Sequence, residues 1–298
     1  MRKVSSIQKA ILAALILFGW LILPAGPAAA GEKERPEKTG LLLAAFGTSV
    51  PEARAALDHV EKKIKAAFPG LEVRWAYTSR IIRAKLAKEG LQYDSVAEAL
   101  ARMGADGFTK VAVQSLHTIP GLEYQELVET ARALAGLPDL PDRIEVGEPL
   151  LFTSEDVGKT MAAILANLPA ERKPDEAVVL MGHGTHHPAD AFYPALQYYF
   201  WKKDPHIFVG TVEGAPSLAE VREELEKRGL KKVWLLPFMS VAGDHALNDL
   251  AGPEEDSWKS ILTKAGLTCV PVLKGTAEYE EIVDLWVGHL EVALSRLE

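Results

Sequence analysis

Cysteine is nearly absent from this 298-residue chain, which contains Cys269 alone. A single thiol excludes an intramolecular disulfide framework and a metal site built from several thiolates. A covalently attached c-type haem is also excluded, because that attachment requires a Cys-x-x-Cys-His motif. Cys269 lies in the apolar stretch Leu267–Val270, and we predict that it is a buried strand residue.

An excess of positive charge is missing as well. The 33 lysine and arginine residues are outnumbered by 41 acidic residues, and the formal net charge is −8. The first thirty residues contain three basic residues and no acidic one, so the rest of the chain is more acidic still. This balance argues against a nucleic-acid surface, and we expect the partners to be small molecules.

An apolar run long enough to span a membrane is also lacking. The run Ala10–Leu23 has fourteen residues, whereas a transmembrane helix needs about 20. Basic residues precede the run, and helix-breaking residues and then Ala28–Ala30 follow it, which is the order of a secretory signal. We predict cleavage after about Ala30, a periplasmic location and no stable membrane anchor after cleavage. An uncleaved anchor is the alternative.

Short apolar runs alternate with segments of helical periodicity along the remaining chain, which is typical of βαβ units. The alternation predicts an α/β fold with parallel sheets. The predicted strands are Leu41–Phe46, Leu71–Tyr77, Lys110–Gln114, Ala177–Met181, Ile207–Thr211, Lys232–Pro237 and Thr268–Val272. The predicted helices include Glu52–Phe68, Leu218–Arg228 with a capping box of Ser217 and Glu220, and Glu278–Leu297.

The order of motifs is repeated in the two parts of the chain. A buried strand ends in Gly47-Thr48 in one part and in Gly184-Thr185 in the other. We therefore predict two similar α/β lobes. The predicted segments are a signal peptide at 1–30, a flexible N-terminus at 31–38, an N-terminal lobe at 39–150, a connecting segment at 151–175, a C-terminal lobe at 176–276 and a C-terminal helix at 277–298.

Three loops of the second lobe carry side chains that bind metals, namely His183, Glu213 and His245, each of which follows a predicted strand. Loops at the carboxyl ends of parallel strands line the ligand crevice of such folds. Two imidazoles and a carboxylate there predict an open site for a divalent metal, and we assign all three residues metal-binding and catalytic roles. His59 and His289 fall within predicted helices and are interpreted as surface residues.

A local basic patch distinguishes one part of this acidic chain. Arg80 lies between a strand and the helix Ile81–Lys88, which also contains Arg83. Helix N-terminal amides together with guanidinium groups favour carboxylates, so we predict that both arginines contact an anionic substrate. His117, at the end of a first-lobe strand, is a further candidate for substrate contact. The aromatic segment Phe192–Trp201 has two interpretations, a buried helix face or a ring-stacking platform.

Four motifs carry a resemblance to a known family. In chain order they are His117–Tyr124, Gly182–Thr185, Val212–Gly214 and Met239–Ala246, the last followed by Asn248-Asp249. With the motifs in this order and at these separations, the chain resembles the class II tetrapyrrole chelatases, and in particular the anaerobic sirohydrochlorin cobaltochelatases. The resemblance extends over essentially all of the mature length.

The resemblance implies a chelatase-like fold of two Rossmann-like lobes with a tetrapyrrole cleft between them. It places the metal-binding histidines of the family at His183 and His245 and its acidic residue at Glu213. Phe46 stands where shorter relatives have a histidine, so one metal site, in the second lobe, is expected. The matching motifs also contain further residues that we assign to substrate binding, namely Glu123, Thr185 and Ser240.

The implied activity is that of a lyase of cobalamin and porphyrin biosynthesis, which inserts Co²⁺ into sirohydrochlorin with loss of two protons. A homo-oligomer is expected, and Fe²⁺ as the metal and non-covalently bound haem are open alternatives. Export departs from the family pattern, because corrin synthesis is normally cytoplasmic. The main alternative is therefore a periplasmic metal- or haem-binding protein without turnover, and a zinc hydrolase is a second one.

Overall fold

The computed structural model of the protein describes residues 35–298, so the predicted signal peptide and residues 31–34 lie outside the described residues. The strands are β1 (Thr39–Ala45), β2 (Glu72–Tyr77), β3 (Lys110–Ser115), β4 (Arg143–Gly147), β5 (Ala177–Gly182), β6 (Ile207–Thr211), β7 (Lys232–Pro237) and β8 (Thr268–Pro271). The helices are α1 (Pro51–Ala67), α2 (Arg80–Lys88), α3 (Val96–Ala105), α4 (Leu122–Leu134), α5 (Ser154–Ala166), α6 (Phe192–Trp201), α7 (Leu218–Lys227), α8 (Trp258–Lys264) and α9 (Glu280–Ser295). Short helical turns cover Pro188–Ala191, Ala246–Leu250 and Thr276–Glu278. Between residues 35 and 298, no helix combines the length and the apolar character needed to cross a bilayer.

Each lobe is built on a four-stranded parallel sheet. The strand order is β2-β1-β3-β4 in the first sheet and β6-β5-β7-β8 in the second, so the two sheets are equivalent strand for strand. The central strands end level with their neighbours, since Ala45 lies opposite Tyr77 and Gly182 lies opposite Thr211. The predicted α/β class with two similar lobes is confirmed.

Hydrogen-bonding caps begin several of the helices that follow these strands. Ser217 accepts from the backbone N–H of Glu220, and the Glu220 carboxylate accepts from the backbone N–H of Ser217 at 2.7 Å, which is the predicted capping box. Ser79 caps α2 by accepting from the backbone N–H of Ile82. Both caps fix the chain directly after a strand end, where ligand-binding loops of this fold class lie.

A single apolar cluster runs through both lobes. It contains Leu41 and Leu43 of β1, Val178 and Leu180 of β5, and Trp286 of α9, all of them fully buried. Smaller clusters cover the outer face of each sheet. Burial of one large apolar side chain stabilises a fold by about 1.5–3 kcal/mol, so the shared cluster joins the lobes strongly. Consistent with this, residues Glu37–Glu298 form one compact unit.

The last helix, α9, returns to the first lobe and packs against β3 and β4. Lys63 of α1 forms an ion pair with Asp284 of α9 at 2.7 Å, and Arg143 of β4 donates to the Leu297 carbonyl at 2.8 Å. The chain therefore begins and ends its folded part on the same sheet, with the second lobe inserted between.

Candidate metal centre

The first element of the site is the loop after β5, which begins with His183. Gly184 has a φ of +79°, a conformation that favours glycine, and a Cβ there would lie 2.4 Å from the backbone nitrogen of Gly214. The backbone N–H of Glu213 donates to the His183 carbonyl at 2.8 Å. The loops that carry His183 and Glu213 are therefore in direct contact.

The second element is the loop after β7, which brings His245 to the same place. The ring centroids of His183 and His245 lie 4.7 Å apart, with the planes at 86°. Two backbone hydrogen bonds hold this loop in place. The N–H of Thr276 donates to the Met239 carbonyl and that of Ala277 donates to the Ser240 carbonyl, both at 2.9 Å. Two imidazoles from separate βα units thus face each other.

The ring nitrogens of this pair have defined roles. Nδ1 of His183 lies 2.9 Å from the Gly184 carbonyl oxygen, and Nδ1 of His245 lies 2.5 Å from a carboxylate oxygen of Asp249. Since both partners are acceptors, each Nδ1 carries the ring proton and each Nε2 keeps its lone pair. The side chains of His183 and His245 are 40% and 38% exposed, so both rings are partly accessible to solvent. A carboxylate that orients a histidine is a common partner of a metal ligand.

Glu213 adds a carboxylate beside the imidazole pair. Its Oε2 lies 3.9 Å from Nδ1 of His183, and its side chain is 55% exposed. An exposed glutamate changes rotamer easily, so a rotation about its side-chain bonds can carry an oxygen toward an ion held by the two rings. As placed, His183, Glu213 and His245 do not bring three ligand atoms within 4.8 Å of one another, so a three-ligand site would require Glu213 to change its side-chain conformation.

The first lobe contacts the loops that carry His183 and His245. Oγ1 of Thr48, in the loop after β1, lies 3.3 Å from the position that a Cβ would take on Gly243. Nε2 of His187 donates to Oε1 of Gln125 on α4 at 3.2 Å, while its Nδ1 accepts from the backbone N–H of Ala189. The carboxyl edges of the two sheets therefore meet here, and the loops that carry the candidate ligands lie at the junction of the lobes.

His117 lies at the carboxyl end of β3 with both ring nitrogens bonded to hydroxyl groups. Nδ1 is 2.8 Å from Oγ of Ser115, and Nε2 is 3.1 Å from Oγ1 of Thr78. Burial lowers the pKa of His117 to about 4, so its imidazole is neutral near pH 7. The residue ties β3 to the end of β2. Its predicted contact with substrate stays a prediction.

The two arginines of the basic patch have different surroundings. Arg80 is exposed at the first position of α2. Arg83 instead directs Nη1 to the backbone carbonyls of Tyr77 and Thr78. Arg80 therefore has the more available guanidinium for an anionic ligand, whereas part of Arg83 already caps the end of β2.

The remaining predicted substrate residues, Glu123, Thr185 and Ser240, follow strand ends in the two lobes. Glu123 is in the first turn of α4, and the Thr185 hydroxyl accepts from the backbone N–H of His187 at 3.1 Å. Ser240 is half-buried in the braced loop after β7. Burial raises the pKa of Tyr193 to about 12, and the Asp190 and Glu123 carboxylates contribute to the same rise.

The aromatic segment of α6 forms a buried helix face. Tyr193 and Phe200 are buried, and a Cβ on Gly182 would lie 2.4 Å from the Tyr193 ring. The exposed rings point elsewhere, because Lys202 lies over Tyr198 and Arg228 lies over Trp201. The buried rings support the His183 loop from below, so the helix-face interpretation fits the structure.

Another group of possible metal ligands lies apart from this centre. Glu148, Asp156 and His289 present ligand atoms within 4.8 Å of one another. Nδ1 of His289 is 3.0 Å from the Glu148 carbonyl oxygen and Nε2 is 3.2 Å from Asp156. Burial raises the pKa of Asp156, but hydrogen bonds from Thr153 and His289 outweigh it and leave the pKa below its usual range. We interpret the group as an ion pair, and the prediction that His289 is a surface residue is wrong.

The chain matches one protein family over nearly all of its described residues. Residues 39–295 match a family described as cobalt chelatase (CbiK). The sirohydrochlorin cobaltochelatase CbiKC of Nitratidesulfovibrio vulgaris is 48% identical over 261 residues, which cover 88% of this chain and 92% of the relative. The sirohydrochlorin cobaltochelatase of Salmonella typhimurium is 36% identical over 260 residues, which cover 87% of this chain and 97% of the relative.

A solved structure shares the fold. SirB from Bacillus subtilis, determined with Fe³⁺, aligns with a TM-score of 0.57 at 17% sequence identity. The alignment covers 87% of this chain and 97% of SirB. At this identity the likeness concerns the fold alone, and it agrees with the two equivalent sheets described above.

Proposed function

The chain belongs to the cobalt chelatase (CbiK) family, and on that premise we propose that it inserts Co²⁺ into sirohydrochlorin with release of two protons. The observation that carries the proposal is the approach of His183 and His245, whose ring centroids are 4.7 Å apart. With Nδ1 of each ring bonded to an oxygen acceptor, we assign Nε2 of each ring as the ligand atom. The activity is that of a metal chelatase of the lyase class.

The small number of protein ligands suits a metal that must be passed on. Two imidazoles and Glu213 leave several coordination positions for water or for pyrrole nitrogens. The macrocycle can therefore replace water on the ion before the protein ligands leave. The metal passes from one set of nitrogens to the other without losing all of its ligands at once.

Insertion also requires two proton acceptors, because each divalent ion displaces two pyrrole N–H protons. We assign one acceptor role to Glu213, which is 55% exposed beside His183 and can pass a proton to solvent. The second proton goes to an Nε2 that the departing metal leaves free. Charge then balances, since one doubly charged ion enters the macrocycle and two protons leave it.

Sirohydrochlorin is a polycarboxylate, and the first lobe offers groups that bind carboxylates. Arg80 is exposed at the start of α2, where helix amides add partial positive charge. We propose that Arg80 and Arg83 contact the substrate carboxylates. The other proposed substrate contacts follow strand ends in the two lobes, namely His117, Glu123, Thr185 and Ser240.

The test of catalysis is metal insertion by the mature protein. We expect sirohydrochlorin absorbance to change faster with Co²⁺ and the protein than with Co²⁺ alone. Two histidines and one carboxylate do not by themselves select cobalt, and we propose Fe²⁺ as an alternative substrate to be assayed in parallel. An uncatalysed rate despite tight cobalt binding would instead favour a periplasmic binding protein without turnover.

We also propose that the chain is exported to the periplasm, which the basic start, the run Ala10–Leu23 and the small residues up to Ala30 support. In a bacterial host producing the full chain, the periplasmic fraction should contain a protein whose mass corresponds to cleavage after about Ala30. Leu15→Arg places a charge in the apolar run and should keep the protein uncleaved in the cytoplasm. Uncleaved wild-type protein in the cytoplasm would contradict export.

Two further expectations accompany this proposal. A homo-oligomer and non-covalently bound haem stay predictions, and neither is needed for the insertion chemistry.

A further inference from the structure

We propose that Asp190 is a positioning residue that holds the Glu213 loop against the His183 loop in the arrangement that binds the metal. The inference rests on the proposed function, because it assigns a role in the same metal centre. Asp190 lies on the short helical turn Pro188–Ala191, outside the three strand-end loops that present the ligands.

The two carboxylate oxygens of Asp190 bond to different loops. Oδ1 accepts from the backbone N–H of Thr185 at 3.0 Å, and Oδ2 accepts from the backbone N–H of Ala215 at 2.8 Å. Thr185 lies two residues after His183, and Ala215 lies two residues after Glu213. One side chain therefore links the two loops just beyond their ligand residues.

The loops fit closely around this carboxylate. A Cβ on Gly214 would lie 2.1 Å from Oδ1 of Asp190, so the backbone of the Glu213 loop passes directly over the carboxylate. A Cβ on Gly184 would in turn lie 2.4 Å from the Gly214 nitrogen. Glycine at both positions lets the loops approach, and Asp190 occupies the space that this approach leaves.

A carboxylate suits the position better than its neutral isostere. Both bonded partners are backbone N–H donors, so both side-chain oxygens must accept. Asparagine has a single oxygen, and its NH₂ group would face one of the two N–H groups. Asp190→Asn should therefore keep one link and lose the other.

Other bonds keep the Glu213 loop attached when Asp190 is removed. The backbone N–H of Thr211 donates to the Pro216 carbonyl at 2.7 Å, and that of Glu213 donates to the His183 carbonyl at 2.8 Å. Loss of Asp190 should thus leave the loop folded but allow the Glu213 side chain a wider range of orientations. This difference separates a positioning role from a purely structural one.

The experiment measures Co²⁺ binding by calorimetry in a double-mutant cycle of Asp190→Ala and Glu213→Ala. We expect Asp190→Ala alone to weaken Co²⁺ binding by about 10–100-fold, the usual cost of losing a residue that orients a metal ligand. In the Glu213→Ala background, Asp190→Ala should change the affinity by less than about threefold, because the residue it positions is gone. Thr153→Ala is the matched control, since it removes a remote backbone-capping side chain at the start of α5 and should not alter Co²⁺ affinity.

The outcomes separate this inference from the proposed function. If the wild-type protein fails to bind Co²⁺, both are overturned. If it binds normally and Asp190→Ala has wild-type affinity, or if the two substitutions act additively, only the role of Asp190 is overturned. Should Asp190→Ala fail to fold, Asp190→Asn provides the same measurement, with a smaller loss expected and unchanged affinity overturning the inference.

Discussion

Replacement of His183 or His245 by alanine is expected to reduce cobalt insertion and Co²⁺ affinity more than 100-fold. Loss of a residue that only orients a metal ligand already costs about 10–100-fold, and each of these substitutions removes a ligand atom itself. The remaining imidazole and the mobile Glu213 carboxylate cannot fix an ion at one position. Calorimetric titration with Co²⁺ and the steady-state rate of insertion check the two parts of the prediction.

A third histidine supplies the control for these substitutions. His206 precedes β6 at the opposite, amino edge of the sheet, and its Nδ1 bonds to the Pro174 carbonyl. His206→Ala should bind Co²⁺ and insert it like the wild type. Insertion by His183→Ala at a rate close to that of His206→Ala would remove the basis of the proposed metal centre.

Trp286→Ala is expected to cost about 3–5 kcal/mol of unfolding free energy, the usual range for deletion of a fully buried large aromatic side chain. Trp286 is 0% exposed and belongs to the apolar cluster that both lobes share. Single domains have a total stability of about 5–15 kcal/mol, so this loss endangers the whole fold. Chemical denaturation followed by circular dichroism gives the free-energy difference.

Two variants calibrate that measurement. Trp201 is 41% exposed on α6, and Trp201→Ala should cost only about 1 kcal/mol. Trp286→Phe keeps most of the buried ring and removes an indole N–H that has no hydrogen-bond partner among residues 35–298, so its cost should fall between the two alanine variants. Equal stabilities of Trp286→Ala and Trp201→Ala would show that the shared cluster does not hold the lobes together.

The sequence predicts the central strands well because they are apolar along their whole length. β1 and β5 are buried on both faces, as helix-covered parallel strands are, and a continuous apolar run signals that environment. β4 has no such signal. It lies at the sheet edge and has the sequence Arg-Ile-Glu-Val-Gly. Because polar residues alternate with apolar ones, the segment contains no continuous apolar run that would predict a strand.

The geometry of the candidate metal centre is predictable from the sequence only in part. Strand ends indicate where His183 and His245 lie, but only the packing of β7 beside β5 brings their rings to 4.7 Å. The spacing of four residues between His245 and Asp249 is consistent with their hydrogen bond, but the spacing alone does not predict it. Asp190 gives no such pattern, because its partners are backbone N–H groups of two other loops.

His289 shows where helical periodicity alone misleads. The helix α9 is amphipathic, but tertiary packing covers more of it than one face, since it lies against both the first sheet and α5. The histidine is enclosed there with Asp156, which comes from a distant part of the chain. A sequence pattern describes one helix, whereas burial depends on every element that packs against it.

The apolar cluster common to both lobes limits how far the lobes can move against each other. Proteins that close on a ligand by hinge bending have halves with separate interiors, which can swing apart without exposing either interior to water. Here such a swing would hydrate Leu43, Val178 and Trp286 together. The shared core therefore opposes a hinge motion between the halves, because opening them would cost the burial of large apolar side chains.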